Sequence, residues 1–122
     1  MYDTTTPSTT PVLPDDKELL RGKCIIAIGS YMPEMREIPD AVLDLVDNVY
    51  IELPYACEES GDLSQPLASG KLTKDRVKLM HEYLVSGEKE IKEGQTTYFK
   101  SVGMGLFDVC IAQKLYEVAK EK

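Results

Sequence analysis

The chain has 122 residues, a formal net charge of −7 and an apolar content of 43%. That length suits one domain with a modest core, and the acidic balance disfavours nucleic acid and anionic membranes as partners. No stretch approaches the ~20 apolar residues of a membrane-spanning helix, and the N-terminus lacks the basic-then-apolar order of a secretory signal. Cys24, Cys57 and Cys110 are too scattered for a zinc site, so a cytoplasmic protein with reduced thiols is expected.

Residues 1–11, MYDTTTPSTTP, have the composition of a disordered Ser/Thr/Pro stretch, which is the favoured reading. The other reading is a strand end and a hydroxyl-rich loop offering hydroxyl and N–H groups to phosphate, ribose or amide groups. Val12 to Leu20 reads as a turn and one short helical turn, and Arg21-Gly22-Lys23 leads into Cys24-Ile25-Ile26-Ala27-Ile28. That unbroken apolar run fits a strand buried on both faces of a parallel sheet. It stops at Gly29-Ser30-Tyr31-Met32-Pro33, where glycine permits close backbone approach and proline ends the ladder. Ligands of open parallel sheets bind at the carboxyl ends of strands, so Gly29 to Arg36 is the first candidate site. Arg36 with Glu37 is either a grip for a carboxylate or a surface pair.

Pro39 and Asp40 introduce a short helix over 41–46, and residues 48–53 are β-branched and aromatic enough for a strand. Strand, short helix and strand make a βαβ unit with parallel pairing. A second helix is expected over 55–59, irregular chain over 66–71, and a helix after Thr73 presenting Val77, Met80, Leu84 and Val85 on one face. Residues 86–95 read as a loop, 96–102 as a last strand, and the remainder to about Ala119 as a helix. Leu106, Val109, Cys110, Gln113, Leu115 and Tyr116 form a mainly apolar stripe along that helix.

The bare residues assemble no active site. Gly103-x-Gly105 opens a helix after a strand, but Asp108 stands where the dinucleotide fingerprint needs its third glycine, so it is not a phosphate loop. His81 reads as a solvated or half-buried helix residue, and Glu58, Glu59 and Asp62 as a solvated acidic face. Cys57 and Cys110 lack the basic neighbours that activate thiols.

Four strings, in the order TPSTTPV, AIGSYMPEMRE, EESGDL and YFKSVGMGLFD, together resemble the ornithine cyclodeaminase/mu-crystallin family. The likeness runs from about Thr4 to Ala119, and the family also holds alanine dehydrogenases and cyclic imine or ketimine reductases. It implies an α/β fold with a partial Rossmann-type parallel sheet. Residues 1–73 would be the second half of a nucleotide-binding domain, and 74–122 a segment returning to a substrate and dimerisation domain. The chain would then be the C-terminal part of a longer protein, without the glycine-rich loop and the basic substrate-holding residues.

The resemblance implies NAD or NADP as cofactor, with Thr6, Ser8 and Thr9 lining its crevice and Ile28, Gly29 and Ser30 along the nicotinamide and its ribose. Ser101 and Val102 would close the site near nicotinamide and substrate. Tyr31 stands where ornithine cyclodeaminases have a catalytic aspartate, and a phenol of pKa near ~10 does not replace that anion. Met35 replaces a basic residue of many relatives. The intact protein would act on a small amino acid or cyclic imine by hydride transfer as a homodimer. This chain would be inactive alone, or would associate with a longer homologue.

Overall fold

The apolar run after Lys23 folds as a strand. In the computed structural model, which describes residues 1–87 and 91–121, it is β2 (Cys24–Ala27). With β1 (Tyr2–Thr4), β3 (Val49–Ile51), β4 (Val77–Leu79) and β5 (Thr97–Lys100) it forms one sheet of order β1-β2-β5-β3-β4. Every pairing is parallel. The α-helices of the described residues are α1 (Lys17–Leu20), α2 (Asp40–Leu45), α3 (Ala56–Glu59), α4 (Gly61–Ser69), α5 (Met80–Ser86) and α6 (Gly105–Lys120), with a 3-10 turn at Lys74–Arg76.

Four local readings change. Residues 2–4 are a strand, because β1 gains β2 as a ladder partner and tertiary pairing overrides a disorder-prone composition. Val77 to Leu79 pair with Val49 to Ile51 as an edge strand, so the expected helix begins only at Met80. Residues 66–69 are helical: Ser60 caps α4 by accepting from Asp62 N, and buried Leu63 and Pro66 hold it to the core. Gly70 then ends it in the left-handed conformation at φ 78°. In the β2–α2–β3 unit the strands are parallel but not neighbours, since β5 lies between them and pairs with both. The sheet therefore crosses residue 74, with β4 and β5 both beyond it. The loop expected over 86–95 falls partly outside the described residues.

Residues in register on parallel strands point to the same side. Ile25, Ala27, Tyr98, Lys100, Val49 and Ile51 thus share one face, all buried, under α1, α2 and α4 with Leu20, Val42 and Leu63. The opposite face carries Ile26, Phe99 and Tyr50, of which only Tyr50 is buried. Tyr83 of α5 packs on it with ring centroids 5.1 Å apart. Every residue of α6 is exposed, Leu115 to 66% and Ile111 to 62%. The apolar stripe read in the sequence is present, but the described residues do not cover it. No helix among them is long and apolar enough to cross a membrane.

Candidate functional site at the carboxyl ends of the strands

Register brings the candidate residues to one edge. Thr4, Ala27, Lys100 and Ile51 are successive partners across four strands, so Thr5, Ile28, Ser101 and Glu52 emerge side by side. The first two strand-end loops touch through Gly29. A Cβ there would lie 2.2 Å from Thr6 N and 2.3 Å from Thr6 O. Because the obstruction is backbone, Gly29→Ala should destabilise the chain by about 1–3 kcal/mol. A urea melt checks this; a change within error would mean that the loops separate freely.

Glu37, fully buried, ties the same loops together. Its Oε1 accepts from Thr6 N and, at 3.0 Å, from Thr6 Oγ1. Its Oε2 accepts from Gly29 N at 2.9 Å and Ser30 N at 3.2 Å. Beneath it, Asp62 Oδ1 accepts from Glu37 N at 2.7 Å and Ile38 N at 2.9 Å. Ser30 Oγ faces inward, 2.7 Å from Met35 O and 2.8 Å from Ser60 Oγ.

Lys100, also fully buried, puts Nζ 3.5 Å from Asp62 Oδ2 and 3.3 Å from Ala27 O. Burial pushes the Asp62 carboxyl up, against the opposing pull of the Ile38 N–H and Lys100. It pushes the Lys100 amine down, while Asp62 and Glu37 favour its charge. The buried Tyr98 phenol shares this pocket, raised well above its ordinary value by burial and then by Asp62 and Glu37.

A second carboxylate holds the last loop. Glu52, following β3 and 6% exposed, accepts through Oε1 from Ser101 Oγ at 2.9 Å, Val102 N at 2.6 Å and Gly103 N at 3.2 Å. Its Oε2 is buried with no hydrogen-bond partner among the described residues. Tyr55 OH donates to Gly103 O at 2.8 Å.

The structure therefore gathers Thr6, Gly29 and Ser30 around Glu37, and Ser101 with Val102 at Glu52. Ser8 accepts from Arg36 N through its carbonyl at 2.8 Å, with its hydroxyl turned to Thr10 O. Thr9 is exposed beside it on the loop, Ile28 is 43% exposed, and Tyr31 is 52% exposed. The N–H groups of Gly29 and Ser30 are engaged by Glu37.

Two readings of charged residues are corrected. Arg36 turns to Asp40 and Ile38 O and is no partner of buried Glu37. Asp62 belongs to the buried network and not to a solvated acidic face, because it faces two chain N–H groups and Lys100. Sequence reasoning missed Glu37, Glu52, Asp62 and Lys100 as the frame of the site. A partial signal existed in Tyr98 and Lys100, two residues apart on a strand and so on one face.

Elsewhere, no acidic, histidine and cysteine cluster suited to a metal occurs among the described residues. Burial pushes the half-buried Cys57 thiol up, outweighing the opposite effect of Lys74. An open cleft of about 550 Å³ lies beside β4, lined by Ile51, Leu67, Val77 and Leu79 and by none of the expected site residues.

The model of the ornithine cyclodeaminase/mu-crystallin family matches residues 3–122. The chain belongs to this family. It is 36% identical over 122 residues to a Delta(1)-pyrroline-2-carboxylate reductase of Bacillus cereus, covering 98% of this chain and 37% of that protein. The chain thus spans little more than a third of the length of the curated relatives it matches. Among solved structures it is similar to a probable ornithine cyclodeaminase from Bordetella pertussis, with a TM-score of 0.79 and 30% identity over 98% of this chain and 39% of that one. Delta(1)-pyrroline-2-carboxylate reductase of Thermococcus litoralis, solved with NADH and L-proline, shares the fold at a TM-score of 0.79 and 23% identity, covering 98% and 37%.

Proposed function

We propose that this chain supplies the nicotinamide side of an NAD(P)-dependent crevice for a small amino acid or cyclic imine. The observation that carries the reading is the meeting of three loops at one sheet edge: Thr5–Thr10, Ile28–Met32 and Ser101–Gly103, fastened by Glu37 and Glu52. The carboxyl ends of the strands are where open parallel sheets hold ligands. The groups present fit the ring end of a dinucleotide. Gly29 lets the second loop close on the Thr6 backbone, which brings the two loops together, Ile28 offers an exposed apolar surface, and Thr9 an exposed hydroxyl residue.

A bound nicotinamide would supply hydride transfer to or from a carbon bearing nitrogen. The chain's own part is orientation: Ile28 and Val102 against the ring, Thr9 at the rim, Ser101, buried and donating to Glu52, fixing the last loop, and Tyr31 toward the substrate. Pyrophosphate binding would fall to a portion corresponding to the length of the relatives that is not matched, and α6 would belong to a second domain there. By itself the chain is then inactive. Between substrates, likeness to the Bacillus cereus reductase and tyrosine in place of aspartate at position 31 favour a cyclic imino acid over ornithine.

NADH and NADPH fluorescence titration of the purified chain, beside a thermal melt, tests this. Saturable binding with a cooperative melt is the expected result; a cooperative melt without binding overturns the proposed crevice. A second reading has one observation in its favour, the exposed Leu106, Ile111 and Leu115 of α6. Such a surface suits association with a second copy or a longer homologue, and light scattering showing only monomer would remove it.

A further inference from the structure

Glu52 holds its loop with only half of its carboxylate. Three donors converge on Oε1, whereas Oε2 is buried and unpaired among the described residues. A glutamine carbonyl would accept the same three bonds, so the negative charge is not required to fix Ser101, Val102 and Gly103. Burying that charge is nonetheless expensive unless a cation approaches it. Among the described residues, three buried carboxylates, Glu37, Glu52 and Asp62, stand beneath the strand ends against one buried ammonium, that of Lys100, which is nearest Asp62 and is shared electrostatically with Glu37 and Glu52. Arg36 is drawn away to Asp40. The strand-end crevice is therefore built over an excess of negative charge in a medium that screens it poorly.

We infer that Glu52 is an electrostatic selector for a delocalised cation at the strand ends, favouring an oxidised, pyridinium-form nicotinamide over its neutral reduced form. This rests on the nicotinamide reading above, and deepens it by assigning a preference between the two states of the cofactor. The ring cation places positive charge without needing a hydrogen-bond donor, which suits Oε2, a buried oxygen that no donor among the described residues reaches. Tyr55 borders the same carboxylate: burial first, and then the charges of Glu52 and Glu59, push its phenol up.

The test is the ratio of dissociation constants, Kd(NADH) to Kd(NAD+), in the unmodified chain, Glu52→Gln and Tyr55→Phe. Glu52→Gln should lower the ratio by about tenfold, through weaker NAD+ binding at nearly unchanged NADH binding. Tyr55→Phe, which loosens the same loop without altering charge, should leave the ratio where it was. An unchanged ratio in Glu52→Gln, or an equal fall in Tyr55→Phe, overturns the selector and leaves the crevice standing. Binding of neither form by a folded, unmodified chain overturns the crevice and the selector together. Should Glu52→Gln fail to fold, Tyr55→Lys sets an ammonium beside the carboxylate from an exposed position, and an unchanged ratio there overturns the selector equally.

Discussion

Replacing Lys100 by methionine should cost the fold about 3–5 kcal/mol, the usual effect of stripping one partner from a buried ion pair. Lys100 and Asp62 are essentially inaccessible to solvent, and Asp62 Oδ2, with no hydrogen-bond partner among the described residues, has the ammonium at 3.5 Å. Methionine fills the space but leaves the carboxylate uncompensated. Against a total stability of about 5–15 kcal/mol for an ordinary domain, the variant would be marginal. Lys100→Met combined with Asp62→Asn should recover part of the loss, since the amide still accepts from Glu37 N and Ile38 N. Urea unfolding of the three proteins measures this; a double variant no better than the single one would show that volume, and not charge, sets the cost.

The pair also fixes signs in the pH dependence. Lys100 is held below its ordinary value, chiefly by burial, so between its lowered value and about 10.5 the unfolded chain binds the extra proton and stability rises with pH. Asp62 is raised, again chiefly by burial. From about 3.8 up to its raised value the folded chain holds the extra proton, and stability falls as pH rises. The alkaline gain should vanish in Lys100→Met. Its persistence there would place the titrating group elsewhere.

The parts of the molecule that were legible in the sequence are those where pattern alone suffices. Cys24 to Ile28 is a continuous apolar run, and such a run before a glycine reads as a strand of a parallel sheet; its burial on both faces is not met, since Cys24 and Ile28 are exposed and Ile26 is half-buried. The final strand was legible for its β-branched and aromatic residues, but not its place. Nothing local distinguishes a strand beside β3 alone from one that enters between β2 and β3, because that insertion is decided by pairing across about 70 residues of sequence to β2 and about 50 to β3. The Val77 to Leu79 strand was hidden for a related reason. Three residues carry too little periodicity to resist the adjoining helical pattern, and β3 alone makes them a strand.

Charged residues were the least legible. Glu37 beside Arg36, and Asp62 near Glu58 and Glu59, look like surface pairs or solvated acids, since buried charge is uncommon and leaves no periodic trace. What buries them is a set of donors spread over the chain: Thr6, Gly29 and Ser30 for one, the 37–38 backbone and Lys100 for the other. Gly29 was recognisable as a point of close approach, although the partner, the Thr6 backbone, was not.

Glu37→Leu should be the most damaging change at the site itself, costing roughly 3–6 kcal/mol as the Thr6, Gly29 and Ser30 N–H groups lose a charged acceptor. Glu37→Gln should cost about half as much, because its carbonyl serves one loop while its amide turns donors toward the other. The damage should be local before it is global. Hydrogen exchange should show the amides of Thr6, Gly29 and Ser30 losing protection in Glu37→Gln while Ile26 and Phe99, within the central ladder, keep theirs. Equal loss at all five positions would make Glu37 a general core residue. Selective loss would make it the clasp between the first two strand-end loops. NADH affinity should then fall further in Glu37→Gln than in Gly29→Ala variants of matched stability, because the clasp fixes both loops and the glycine only their separation.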